Sequence, residues 1–289
     1  MSRKEIDEVS GTETTGHEWD GIRELNTPLP RWWLWTFYVT IIWSLGYVIV
    51  YPAIPLVTDA TQGLFGWSSR AAVQESLAKA ELAQAGSLAK LSQMSLADIR
   101  QDEALNQFAV AGGRSAFKVY CSQCHGSGAE GAAGYPNLND DDWLWGGSLE
   151  AILQTVTHGV RFAGDDDTLT SEMPNFGADD ILTREQIGEA ANYVLKLSGG
   201  KHDETAAAAG QAVFADNCAA CHGDDGKGNR EFGAPNLTDP IWLYGSSEAA
   251  IAAQIAKPRH GVMPAWGGRL SEATLKQLAL YVHALGGGE

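Results

Sequence analysis

The stretches GRSAFKVYCSQCHG (residues 113–126) and GQAVFADNCAACHG (residues 210–223) decide the fold of this 289-residue chain. They match without a gap at an offset of 97 residues. Downstream, PNLNDDDWLWGGS and PNLTDPIWLYGSS match at an offset of 99 residues, and a His-Gly and a Met-Pro pair recur in both halves. Because self-similarity at one period indicates a duplicated unit, we predict two tandem copies of one small domain, at residues 111–200 and 201–289.

Both copies contain the sequence Cys-x-x-Cys-His, and these two motifs include all four cysteines of the chain. This sequence is the attachment site of c-type heme, in which both thiols form thioethers and the histidine binds iron. A thioredoxin-like pair would lie near a βαβ pattern, structural zinc would need four ligands per site, and structural disulfides leave both following histidines unexplained. We therefore expect two covalently bound hemes c. Their attachment and proximal residues are Cys121, Cys124, His125, Cys218, Cys221 and His222.

The sixth ligand of each iron decides whether that heme can bind a substrate. Met173 and Met263 each precede a proline in a loop before the last helical segment of their copy. Histidine and methionine together fill both axial positions, which suits electron transfer, so we assign no catalytic residue. His158 and His260 compete with the methionines as sixth ligands. The first copy has 12 more residues between its His-Gly and Met-Pro pairs, which leaves open which methionine binds which iron.

A run of 27 uncharged residues, rich in Trp and Tyr near its ends, precedes the two copies. About 20 apolar residues suffice to cross a bilayer, and aromatic rings favour its interfaces. The acidic leader differs from the short basic start of a cleaved signal peptide. We predict a cytoplasmic leader (1–31), a transmembrane helix (32–57) and a periplasmic helical connector (58–110). The excess of basic residues before the span, including Arg3 and Lys4, indicates a cytoplasmic N-terminus.

Helical periodicity recurs through the rest of the chain. Thr183 and Ser271 precede segments with apolar residues at helical spacing, and Ser95 with Asp98 resembles a capping box in the connector. A glycine-containing stretch at residues 198–203 is predicted to join the copies as a short flexible linker. The predicted fold is all-α, with a single N-terminal transmembrane helix followed by two tandem class I cytochrome c domains.

The net charge of −16 argues against nucleic acid as a partner, because phosphate binding needs clustered Lys and Arg. Acidic surfaces attract basic partners and speed their encounter. Three acidic runs lie in the first copy, at residues 140–142, 165–167 and 179–180. We hypothesise that a basic soluble cytochrome docks there, the alternative being a merely solvated acidic face. Arg161 and Arg259 flank the His-Gly pairs and are weaker candidates to meet heme propionates.

An anchor followed by two heme units resembles the membrane-anchored diheme cytochrome c subunit of cbb3-type cytochrome c oxidases. The most specific part of the resemblance is HEWDGIRELNTPLPRWWLWTFY, residues 17–38. It implies that electrons pass from a donor cytochrome c through two hemes to a monoheme subunit and then to the heme–copper catalytic subunit, where oxygen is reduced and protons are pumped.

The same resemblance implies Met173 and Met263 as distal ligands, heme domains on the periplasmic side of the bacterial inner membrane, and no oxygen-reducing site in this chain. Two alternatives stay open at this point. One is a self-contained diheme peroxidase, and the other is a membrane-tethered diheme electron carrier for a different reductase or dehydrogenase.

Overall fold

The structure is a computed structural model that describes residues 5–289. Arg3 and Lys4, which contribute to the predicted orientation of the anchor, lie outside the described residues. The chain divides into two compact units, Met1–Ala83 and Gln84–Glu289. In the part that the structure describes, the mostly helical fold is confirmed, with eleven helices and one two-stranded sheet.

The sheet is an antiparallel hairpin in the leader, formed by β1 (Thr14–Trp19) and β2 (Ile22–Leu25). The predicted all-α fold does not include this hairpin. Asp20 and Gly21 join the strands with φ values of 49° and 84°, the positive angles that a type I′ turn requires. An Asp-Gly pair between two strands is a known hairpin signal, so the information was present in the local sequence.

The predicted membrane helix is α1 (Arg31–Val50), none of whose side chains is buried within the structure. Among the described residues it is the one helix long and apolar enough to cross a membrane by length and composition. It ends before the predicted limit of residue 57 because Pro52 offers no N–H and disfavours helical backbone at the preceding residue. Tyr51 accordingly has extended backbone, with φ −115° and ψ 158°.

The remaining helices begin where the sequence supplies caps. The side chains of Ser95, Thr183 and Ser271 each accept a hydrogen bond from the backbone N–H three residues later, and Thr183 with Gln186 completes a reciprocal capping box. The helices are α2 (Ser69–Gln93), α3 (Leu96–Gln101), α4 (Glu103–Tyr120), α5 (Ser122–His125), α6 (Leu149–His158), α7 (Arg184–Leu197), α8 (Glu204–Asn217), α9 (Ala219–His222), α10 (Glu248–Ala256) and α11 (Glu272–His283).

Two sequence-based boundaries need revision. The predicted limit between the connector and the first copy, at residue 110, falls inside α4, which starts at Glu103 with Asp102 as its cap. The segment 198–203 is not a free linker, because hydrogen bonds hold it against the preceding helix. The backbone N–H of Gly200 donates to Leu195 O at 2.8 Å, and the backbone N–H of Asp203 donates to Asn192 Oδ1 at 2.8 Å.

The last helix of each copy packs on the first helix of the other copy. Helix α11 crosses α4 and contacts α6, whereas α7 crosses α8 and contacts α10. A Cβ added at Gly113 would lie 2.0 Å from Gln277 O, and one added at Gly210 would lie 2.1 Å from Glu189 O. Glycine therefore permits the close approach of both helix pairs. The two copies are consecutive in sequence and interleaved in space.

Three clusters of buried apolar side chains fill Gln84–Glu289. The first core lies between α4, α6 and α11, the second core lies between α7, α8 and α10, and the third core joins the connector helices to α4 and α11. Representative members, from the first to the third core, are Phe117, Ile152, Leu278, Val194, Phe214, Ile251, Leu91, Ile99 and Leu280. The first and second cores position the two Cys-x-x-Cys-His motifs.

Candidate heme sites

Each Cys-x-x-Cys-His motif lies at the end of a long helix. Cys121 ends α4 and Cys218 ends α8, and each donates its backbone N–H to a phenylalanine carbonyl four residues earlier at 2.8 Å. The backbone N–H groups of Cys124 and Cys221 then donate to the carbonyls of Cys121 and Cys218, both at 3.1 Å. The motif therefore folds into one short turn, which brings two thiols and an imidazole to the same place in both copies.

The two motif histidines are oriented by matching contacts. His125 Nδ1 lies 3.1 Å from Pro136 O, and His222 Nδ1 lies 3.1 Å from Pro235 O. Because a carbonyl oxygen only accepts, Nδ1 donates, and Nε2 keeps the lone pair that a metal needs. Burial lowers the pKa of both histidines, and the prolyl carbonyl raises it to a smaller extent. Both imidazoles are therefore neutral and suited to bind iron.

None of the four cysteines forms a disulfide, so all four thiols are available for thioether bonds. In each motif the first cysteine is the more buried and the second is exposed. Burial, reinforced by the neighbouring thiol, raises the pKa of Cys121 and of Cys218 to about 11. The buried thiols are thus protonated at neutral pH. A less exposed and a more exposed thiol on a single turn fit two thioether bonds to one porphyrin edge.

Each candidate distal methionine packs in the core that holds the other copy's motif. Met263 contacts the first core, which also contacts Cys121, and Met173 contacts the second core, which includes Cys218. The exchange of α7 and α11 produces this arrangement, because each methionine lies in the loop that leads into its exchanged helix. The packing thus associates Met263 with the motif of His125, and Met173 with that of His222.

The competing histidines have other partners. His158 Nδ1 lies 3.1 Å from a carboxylate oxygen of Asp165. His260 Nε2 accepts the backbone N–H of Met173 at 3.2 Å. Each histidine thus has a ring nitrogen engaged in another contact. Methionine is therefore favoured over histidine as the sixth ligand of each iron.

Tryptophans lie around both sites. Trp145 lies against Gly233 of the second copy, and its indole Nε1 is buried with no hydrogen-bond partner among the described residues. Its counterpart in the second copy, Tyr244, lies against Gly134 of the first copy. Three other tryptophans contact the first or second core, namely Trp143, Trp242 and Trp266.

The sequence marks Arg161 as a candidate contact of a heme propionate but does not predict that Gly159–Arg161 bonds the methionine loops. Val160 and Met263 exchange backbone hydrogen bonds, each 3.0 Å long. The partners lie a hundred residues apart and are joined by tertiary packing alone. The repeated His-Gly pair was the only local signal that this stretch was special.

The acidic residues of these runs in the first copy differ in burial and in their contacts. Asp142 is half-buried, and burial, with Asp239 and its acidic neighbours adding to it, raises the pKa of its carboxyl to about 6. Asp165 bonds His158. The carboxylates of these runs that remain exposed are Asp141, Asp166, Asp167, Asp179 and Asp180.

These residues fit covalently attached heme at both motifs, because each motif combines two free thiols on one turn, an oriented neutral imidazole and a methionine in the same core. An anchored chain with two such helical sites is a membrane-bound c-type cytochrome, the class of protein that transfers electrons.

Comparison with known proteins defines the family. Residues 11–58 match the family described as "N-terminal domain of cytochrome oxidase-cbb3, FixP". Residues 108–194 and 205–282 match "Cytochrome C oxidase, cbb3-type, subunit III". The chain belongs to this family of cbb3-type cytochrome c oxidase subunits, as the sequence resemblance predicted.

Curated relatives match over nearly their whole length. A cbb3-type cytochrome c oxidase subunit FixPc from Rhizobium leguminosarum bv. viciae is 58% identical over 288 residues, which cover 100% of both chains. The FixP subunit of Rhizobium meliloti (strain 1021) is 58% identical over 286 residues, 99% of this chain and 98% of the relative. The CcoP subunit of Cereibacter sphaeroides is 54% identical over 276 residues, 96% and 95% of the two chains. This chain is therefore a membrane-anchored, heme c-binding electron-transfer component of an oxidoreductase complex.

Proposed function

We propose that this chain is a diheme cytochrome c that passes electrons from a donor cytochrome c to the monoheme and heme–copper subunits of a cbb3-type oxidase, which reduces oxygen to water and pumps protons. The observation that supports this most is the presence, in both cores, of a Cys-x-x-Cys-His turn together with a methionine. Heme c supplies one-electron transfer when bound. If a histidine and a methionine bind each iron, no position would be left for oxygen, so oxygen reduction would belong to the heme–copper subunit.

The proposal includes a crossed set of ligands. The heme attached through the first motif is held by His125 and Met263, and the heme attached through the second motif is held by His222 and Met173. The packing of each methionine on the opposite core supports this pairing. The thioether residues are Cys121, Cys124, Cys218 and Cys221.

A single-heme variant tests the crossed pairing. Changing Cys121 and Cys124 to serine leaves only the heme of the second motif. In that background Met173→Leu should abolish the iron–methionine charge-transfer band of the oxidised heme, whereas the matched control Met263→Leu should keep it. The reverse result would show that each methionine binds the heme of its own copy.

We further propose one crossing of the bacterial inner membrane, with a cytoplasmic N-terminus and periplasmic heme domains. Arg31 is the first residue of α1. Arg23, the other basic residue of the described leader, is ion-paired with Glu5 and with Glu18, so Arg31 is the basic residue next to the span. Protease added to spheroplasts should cleave the heme domains, and the same protease should spare them in inverted vesicles. Cleavage in inverted vesicles alone would reverse the orientation.

The exposed carboxylates of the first copy support docking of a basic donor cytochrome, because opposite charges raise the association rate. Oxygen uptake driven by such a donor should fall as ionic strength rises, since salt screens exposed charges. Turnover that does not change with salt would contradict this docking surface.

Isolation from native membranes in mild detergent tests the assignment to the oxidase. We expect partner subunits that contain b-type heme, copper and a further heme c, together with cytochrome c-driven oxygen uptake. Recovery of a low-spin diheme chain without those partners, from a preparation in which other respiratory complexes stay intact, would instead support a general membrane electron carrier.

A further inference from the structure

The segment Gly159–Arg161 lies between the two methionine-bearing loops and is hydrogen-bonded to both. On one side, the backbone N–H of Arg161 donates to Leu169 O at 2.8 Å, and the N–H of Leu169 donates to Gly159 O at 3.2 Å. On the other side, Val160 and Met263 exchange two hydrogen bonds of 3.0 Å. Leu169 lies just before Met173 in the chain, so this segment joins both loops through its backbone.

The side chain of Arg161 also connects the two methionine-bearing loops. Its Nε donates to Gly261 O at 2.7 Å, and its Nη1 donates to Ser171 O at 3.1 Å. Gly261 lies two residues before Met263, and Ser171 lies two residues before Met173. One guanidinium therefore bonds both methionine loops at equivalent places, although those loops come from different copies.

The backbone and surroundings of Arg161 fit this role. Its φ is +53°, a left-handed conformation that non-glycine residues adopt rarely and that the surrounding structure must hold in place. The guanidinium is half-buried; burial lowers its pKa, and Tyr244 and Glu172 raise it. It nevertheless stays charged near neutral pH. Its planar fork offers several N–H donors in fixed directions, so it can bond two carbonyls at once.

A second bond connects the same loops. His260, three residues before Met263, accepts the backbone N–H of Met173 through Nε2 at 3.2 Å. The two loops are thus connected directly as well as through Arg161. A displacement of either loop is expected to disturb the other.

We propose that Arg161 is a positioning residue that holds both distal methionine loops, so that one side chain sets the sixth ligand of both irons. This inference rests on the proposed ligation by Met173 and Met263. Because methionine ligation raises the potential of a heme, loss of Arg161 lowers the potentials of both hemes together. It also opens both reduced irons to an external ligand such as carbon monoxide.

The test uses the full-length, heme-loaded chain in detergent, with Arg161→Gln. We expect the iron–methionine charge-transfer band to lose at least half of its intensity, both redox midpoints to shift downward, and carbon monoxide to bind in two equivalents. The control is Arg230→Gln, which removes the same charge. The Arg230 guanidinium donates to Glu289 Oε2 at 2.9 Å and forms an ion pair with that carboxylate, contacts that involve neither methionine loop. This control should keep the band and both methionine ligands.

An unchanged band and unchanged midpoints in Arg161→Gln would overturn the inference, and so would a loss confined to one heme. If that variant does not accumulate with both hemes, Arg161→Lys provides the test instead, because lysine keeps the charge but lacks the planar fork of N–H donors. Partial loss of the band at both hemes supports the inference, and a full band overturns it. A wild-type chain without the band would instead refute ligation by the methionines, which separates the two failures.

Discussion

Replacing Gly113 by alanine should destabilise the crossing of α4 and α11. An added Cβ would lie 2.0 Å from Gln277 O and 2.7 Å from the Cβ of Tyr281. Since non-bonded carbon contacts are normally about 3.5–4.0 Å long, the two helices would have to separate by roughly 1.5 Å. The obstacle is the backbone of a packed helix and not the mobile end of a side chain, so local relaxation is restricted.

The expected magnitude follows from two opposing terms. Overpacking of a tight contact costs about 1–3 kcal/mol, and the upper end applies to a backbone obstacle. Alanine returns about 1 kcal/mol because glycine disfavours helix. The net loss is about 2 kcal/mol, which lowers the Tm of a unit of this size by roughly 4–8 °C.

The assay is thermal unfolding of the heme-loaded, full-length chain, followed by far-ultraviolet circular dichroism. Gly188→Ala is the matched control, because a Cβ added there on α7 meets nothing within 4 Å. This control should gain up to about 1 kcal/mol from helix propensity, with a Tm rise of roughly 2–4 °C. Equal Tm values for the two variants would refute the close crossing, whichever direction both moved.

Two further changes test other parts of the fold. Lys276→Met should lower the free energy of unfolding in urea by about 2–3 kcal/mol. The nearly buried Lys276 Nζ donates to three carbonyls at the end of α2, at 3.1, 2.9 and 3.0 Å. A loss below the error of the measurement would contradict this anchoring. Asp142→Asn should raise the free energy of unfolding at pH 7.5 but not at pH 4. In the folded chain the pKa of this carboxyl is raised to about 6 from its ordinary 3.8. Its ionised form therefore destabilises the folded chain above pH 6. A shift of that size is worth ~3 kcal/mol for a fully buried group, and solvent screening of this half-buried one reduces the expected gain to about 1 kcal/mol. The same gain at both pH values would refute the electrostatic cause.

Several features of the chain were predictable because their causes are local. The thiols and imidazole of each motif lie within five consecutive residues, and the backbone of one turn brings them together. The caps at Ser95, Thr183 and Ser271 depend on residues three positions apart. The membrane helix was recognised from uncharged composition over a single run.

Other local features were missed although their signals are present. The Asp20–Gly21 pair marks the leader hairpin, but the strands beside it are too polar to form a clear alternating pattern. The uncharged run continues past the end of α1, because apolar composition does not guarantee helix where Pro52 restricts the residue before it.

The sequence by itself predicted which residues attach and ligate heme, and it showed that the unit occurs twice. The proposed pairing of methionines with motifs and the proposed role of Arg161 rest on the tertiary structure alone. Both copies carry the same helix-crossing pattern, with a glycine four residues before a phenylalanine at Gly113 and at Gly210. Either last helix therefore suits either first helix by pattern, because apolar burial is non-directional. The choice between them rests on contacts between residues that lie far apart in the chain, which become specific only when both copies fold together.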